Sequence, residues 1–290
     1  MRSSLTRIIA IASLLVWMPA CRQAAQEPAP SAVPARIVSL TPALTEILFA
    51  VGAGDRVVGV TEYCDFPPEA RTRPKVGGYV NPSVEAVVAL KPDLIVVSPG
   101  PGNRDAALAM QRQGLRVEVV PAESLEDTLA AIVSVARMCG DEGKGTALVG
   151  SIRARFDAVS RRVARLPRVP TLFSVQTTPI IAAGSGTLPA QILEIAGGRN
   201  VVTEPRYPRI GLESVLSWKP ELILQSKMDA PAEPSSEDAE LAFWSRWKGI
   251  PAVSANRVVL LDPGVGLRPG PRVADDAEAL AAIIHPVAGR

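Results

Sequence analysis

Histidine is almost missing from this chain of 290 residues: there is one, His285, close to the C-terminus. Imidazole is the commonest metal ligand and the usual proton carrier near neutral pH, so multi-histidine metal centres are excluded. A Ser-His-Asp or Cys-His mechanism would have to rest on that terminal residue. Aromatic residues make up only 4 %. An excess of either charge is absent too, with 31 Lys and Arg against 29 Asp and Glu. Without Arg2 and Arg7 of the expected leader the balance is 29 to 29, which offers no general attraction to nucleic acid or acidic lipid. No Gly-rich phosphate cradle follows a strand; Gly184-Ser185-Gly186 is too short a match.

Long hydrophobic runs are scarce as well. The stretch Ile8 to Met18 is eleven residues, whereas a helix crossing a bilayer needs about 20. With Arg2 and Arg7 before it and Pro19-Ala20-Cys21 after it, the stretch reads as an export signal over residues 1–20. Met18-Pro19-Ala20-Cys21 resembles the cleavage box of bacterial lipoproteins, which would make Cys21 the lipidated first residue of the mature chain. The alternative is an ordinary secreted protein cut near Ala20. Residues 21–35, rich in Ala, Pro, Gln and Ser, have too little apolar surface to offset ordering entropy and are expected to be a flexible tether. Cys64 in a loop and Cys139 at a helix end are expected to be free and buried.

What the sequence does have is a repeat. Val84 to Val96 returns as Leu212 to Leu224, shifted by 128 positions without a gap. Each copy reads as a short helix with a Glu in its first turn, a Lys-Pro stop, and a strand covered on both faces. Ile192-Leu193 up to Gly197 echoes Ile47-Leu48 up to Gly52. Strands and helices alternate from Arg36 onward, which predicts an α/β fold: parallel sheets flanked by helices in two lobes. Thr41 is expected to cap a helix beginning at Pro42, Asn81 to cap the first repeat helix, and Ser124 with Asp127 to form a capping box. Leu148, Ile152, Phe156, Val159, Val163 and Leu166 line one face of a long helix expected from near Gly145 to Leu166, a rigid rod joining the lobes. The expected boundaries are 36–140 for the first lobe, 141–167 for the helix and 168–290 for the second.

Ligands of open parallel sheets bind beyond the carboxyl ends of the strands, and two facing lobes make a cleft there. Tyr63, Tyr79 and Tyr207 all fall in loops, where a flat face and a polar tip suit the wall of a cleft for a large planar ligand. Arg206, Arg209, Arg268 and Arg272 sit near the same mouth and are candidates for ligand carboxylates, phosphates or amide oxygens. Trp244, Trp247 and Trp218 read as core. Glu85 and Glu213 are favoured by the helix dipole, but two in register on matched lobes point to a symmetric partner that reads one carboxylate per lobe.

Jointly, Ile37-Val38-Ser39-Leu40-Thr41-Pro42 with Thr45-Glu46, the Glu62 to Pro68 loop, Lys75-Val76-Gly77-Gly78, Asn81-Pro82-Ser83-Val84-Glu85 and the two Lys-Pro copies resemble the helical-backbone solute receptors of ABC importers. That family captures cobalamin, ferric siderophores and haem, and the resemblance covers residues 36 to about 286. It implies a monomeric binding protein without catalysis or intrinsic cofactor, held at the membrane only by its lipid. Glu85 and Glu213 would dock onto arginines of the two permease subunits, and Tyr63, Tyr79 and Tyr207 would lie in ligand-contacting loops. The Glu62 to Pro68 loop looks most like that of the cobalamin receptors, with a ferric siderophore or haem as the alternative large metal chelate. Zinc and manganese receptors of this architecture use several histidines, which this chain lacks. An enzyme acting on a metal chelate is the rival class.

Overall fold

The computed structural model describes residues 33–100, 103–227, 237–262 and 264–286. The expected leader, the lipidation of Cys21 and nearly all of the tether lie outside them. Extended, apolar Ile37-Val38-Ser39 opens the fold as β1 (Ile37–Ser39), followed by α1 (Pro42–Ala50), β2 (Val57–Val60), α2 (Val84–Ala89), β3 (Leu94–Val97), α3 (Asn103–Arg112), β4 (Val117–Val119) and α4 (Leu125–Met138). After α5 (Glu142–Val163) come β5 (Val169–Thr177), β6 (Ile180–Ala182), α6 (Leu188–Ile195), β7 (Gly198–Asn200), α7 (Leu212–Trp218) and β8 (Leu222–Ser226). The chain closes with α8 (Glu237–Ser245), α9 (Pro251–Ser254), β9 (Val258–Leu261) and α10 (Val273–Ile284).

The strands form two sheets. The first is parallel in the order β2-β1-β3-β4. In the second, β7, β8 and β9 lie parallel in the order β7-β5-β8-β9, so the two halves share one topology as well as a repeated sequence. The second sheet is mixed: β6 folds back antiparallel on the end of β5 through the turn at Thr178-Pro179. The alternation pattern predicts parallel sheets, as observed, and a three-residue return strand is too short to register in it as a period.

Both faces of each sheet are covered, as the unbroken apolar strands require. Successive side chains point to opposite faces, so in β3 Leu94 and Val96 join a core shared by both halves, while Ile95 and Val97 join a separate cluster under α2 and α3. The shared core also holds Leu44, Ile132, Ile152, Phe156, Phe173, Leu193 and Leu280. The halves are therefore joined by more than one helix: α5 packs on α4 and α10, and α6 packs on both α4 and α5.

Three local expectations change. Ser83, not Asn81, caps α2, its hydroxyl accepting from Ala86 N at 3.2 Å, because it stands directly before the first helical turn. Asp141 caps α5 through Lys144 N at 3.1 Å, so that helix begins at Glu142, three residues before Gly145. It ends at Val163, which leaves Leu166 43 % exposed beyond the buried stripe. The Ser124–Asp127 capping box forms as expected. Trp244 is fully buried and donates from its indole to Gln225 Oε1 at 3.0 Å, whereas Trp218 and Trp247 only border that cluster. Cys64 and Cys139 are free and buried.

Candidate functional site

The loops beyond the carboxyl ends of the parallel strands carry the candidate residues. Tyr63, half-buried, follows β2 in a turn that is pinned from behind: Thr45 Oγ1 donates to Cys64 Sγ at 3.1 Å, and Lys75 Nζ reaches the carbonyls of Thr61 and Cys64 at 3.4 and 3.3 Å. Tyr79 lies against the loop after β3. Its hydroxyl would stand 3.1 Å from a Cβ at Gly100, so the absent side chain there admits the phenol. Burial pushes the Tyr79 hydroxyl above its ordinary value, which keeps it a neutral donor. Tyr207 is 47 % exposed in the loop between β7 and α7, and desolvation together with the carboxylate of Glu123 raises its hydroxyl in the same direction.

Three expected arginines share one property: each holds a carboxylate of the other half. Arg206, in a left-handed conformation (φ 64°), reaches Glu123 Oε2 at 3.3 Å. Arg268 Nη1 meets Asp65 Oδ1 at 2.7 Å and Glu46 Oε1 at 3.3 Å, with its side chain only 12 % exposed. Arg272 grips Glu46 with a two-pronged contact, Nε to Oε2 at 2.9 Å and Nη2 to Oε1 at 2.7 Å, and its guanidinium lies 4.2 Å over the Phe66 ring. Desolvation pulls the Arg268 guanidinium down, but its contacts with Asp65 and Glu46 more than offset it, and the Glu46 hydrogen bond raises Arg272 outright. Both are permanently charged. Asp276, which accepts from Gly266 N at 3.0 Å, is pushed up to about 6, chiefly by burial. Arg209 is exposed and joins Ile181 through a backbone bridge.

Sequence reasoning missed Glu46, Asp65 and Phe66 as partners of these arginines. One signal was available: Glu46 interrupts the apolar run Ala43-Leu44 and Ile47-Leu48, and a carboxylate in a helix face that must be buried needs a cation. Glu85 and Glu213 are exposed in the first turns of α2 and α7. Beside Glu85 lies an open hollow of about 450 Å³ lined by Val84, Val88, Ala89, Ala109 and Gln113.

Two sheets of matched topology flanked by helices are the two-lobe fold of a periplasmic substrate-binding protein. The chain belongs to the periplasmic binding protein family, whose profile matches residues 37–265. It is 30 % identical over 241 residues to a vitamin B12-binding protein of Vibrio parahaemolyticus serotype O3:K6, a match covering 82 % of this chain and 84 % of the relative. Among solved structures it resembles the periplasmic vitamin B12-binding protein of Vibrio cholerae, with a TM-score of 0.71 and 28 % identity over 87 % of this chain and 97 % of that one. It also resembles a periplasmic haem-binding protein from Pseudomonas aeruginosa, with a TM-score of 0.77 and 26 % identity over 88 % of this chain and 94 % of that one.

Proposed function

We propose that this protein is the substrate-binding lipoprotein of an ABC importer, that it holds a corrinoid, cobalamin, between lobes 36–140 and 168–290, and that it delivers this ligand to a permease dimer through Glu85 and Glu213. Lipid on Cys21 and the 21–35 tether keep a monomer at the membrane in the periplasm, helix 141–167 limits lobe movement, and no catalysis is involved. The observation that carries the ligand choice is the 30 % identity with a vitamin B12-binding protein. Electrostatics support it. Three guanidiniums, Arg206, Arg268 and Arg272, face three carboxylates, Glu123, Asp65 and Glu46, so the rim presents little net charge. A balanced rim with neutral Tyr79 and Tyr207 hydroxyls suits the uncharged amide side chains of a corrinoid better than the two carboxylates of haem. Tyr63, Tyr79 and Tyr207 supply flat contact area, and Arg206, Arg268 and Arg272 stand at the same mouth.

A haem or ferric-siderophore receptor is the second reading, favoured by the likeness to the haem-binding structure. Calorimetric titration with cyanocobalamin, haem and a panel of ferric siderophores separates them. Saturable heat with cyanocobalamin and little with haem is expected; heat with haem alone would replace the corrinoid reading. An enzyme acting on a metal chelate would instead turn its ligand over, which the same incubations reveal as a new absorption spectrum.

A further inference from the structure

The internal duplication extends to the contacts between the halves. Glu46-Ile47-Leu48 in α1 corresponds to Gln191-Ile192-Leu193 in α6, and each triplet leads to a left-handed glycine, Gly52 (φ 80°) and Gly197 (φ 92°). α1 follows β1, and α6 follows β5 and its antiparallel return strand β6. At the corresponding ends of the fold, α4 follows β4, the last strand of the first sheet, and α10 follows β9, the last strand of the second.

We propose that Glu46 and Gln191 are a matched pair of positioning residues, each fixing from its own half the start of the last helix of the other half, and through it the loop that faces the cleft. Glu46, whose side chain is 2 % exposed, holds Arg272, the residue directly before the first turn of α10, and also Arg268. Gln191 Oε1 accepts at 2.8 Å from Leu125 N, the first residue of α4. The two contacts run in opposite directions between the halves.

The difference in side chain has a reason. Glu46 is buried against two guanidiniums, and a neutral group there would deprive Arg272 of its paired carboxylate. Gln191 meets a single backbone N–H at a helix start, one of the donors that a helix cannot satisfy by itself, and an amide oxygen is enough. Each residue reaches the cleft only through others. Glu46 sets Arg268 on Asp65 and Arg272 over Phe66, and Gln191 sets the segment carrying Glu123, which faces Arg206 and Tyr207.

Amide hydrogen exchange on the full chain without ligand tests this, and it does not depend on which ligand the protein takes. Glu46→Gln should accelerate exchange roughly tenfold in peptides from 264–276 and leave 121–130 unchanged, while Gln191→Ala should do the reverse. Arg272→Lys, which keeps the charge but loses the two-pronged contact, should reproduce the Glu46→Gln pattern even if that variant folds poorly. Uniform acceleration in every peptide, or none in either segment, would overturn the pairing. Resting on the corrinoid reading, both substitutions should also weaken cyanocobalamin binding by roughly tenfold without touching the ligand. Unchanged affinity alongside the crossed exchange pattern would show that the clasp exists but does not shape the site, and would remove its role in positioning.

Discussion

At the scale of the residue, Asp276 links the cleft to pH. Burial raises its carboxyl from an ordinary 3.8 to about 6, against the opposing help of Gly266 N and Arg272. The folded state therefore prefers the protonated form. Its stabilising contribution is fully present below about pH 4 and is lost as pH rises through 6, at a total cost of order 2 to 3 kcal/mol. Asp276→Asn keeps an acceptor for Gly266 N and removes the charge. Thermal unfolding should show a higher melting temperature for the variant at pH 7 and a flatter dependence between pH 4 and 6; a lower melting temperature at pH 7 would mean that attraction to Arg272 outweighs desolvation. Asp276 and Glu46 differ in legibility. The Glu46 charge inside an apolar run could be read from the sequence, whereas nothing in Asp275-Asp276 says which of the two turns inward.

Among elements, the duplicated segment is defined as much by how it ends as by its helix. Lys91 and Lys219 occupy the same place in the two copies, and both are left-handed, at φ 46° and 49°. A side chain in that conformation costs about 1 to 2 kcal/mol, yet the following Pro bars a further helical turn and the chain must reverse into β3 and β8. Lys219→Val, which adds a branch at Cβ where the left-handed conformation already crowds it, should lower stability by a further 1 kcal/mol or so in a denaturant titration, and Lys219→Gly should lower it little or not at all. The Lys-Pro stop was visible in the sequence, as was the capping box of α4. The short strands β6 and β7 were not, because three residues carry no period of their own.

For the whole molecule, Glu85 and Glu213 project from matching helices of the two halves, and the exposed apolar residues Val88 and Leu216 follow each at the same interval. The continuous core beneath α4, α5, α6 and α10 gives this pair a defined spacing. Replacing both with Ala should abolish transport in whole cells while ligand affinity of the purified protein stays unchanged. Loss of one partner of an interfacial charge pair typically costs about 2 to 5 kcal/mol. A fall in affinity would instead move these carboxylates into the cleft.

The sequence by itself determined the alternation of strands and helices, the duplication, the long helix and the loops in which Tyr63, Tyr79 and Tyr207 lie. All of these follow from spacing within a few residues: helical and strand periods, caps, and prolines that stop an element. Only the tertiary structure decided that Arg206, Arg268 and Arg272 each hold a carboxylate of the other half, that Gln191 seals α4, and that the halves share a core. Arg272 meets Glu46 across 226 positions of chain. Which cation neutralises a buried carboxylate depends on how two sheets and their helices pack together, and that arrangement leaves no local period to read.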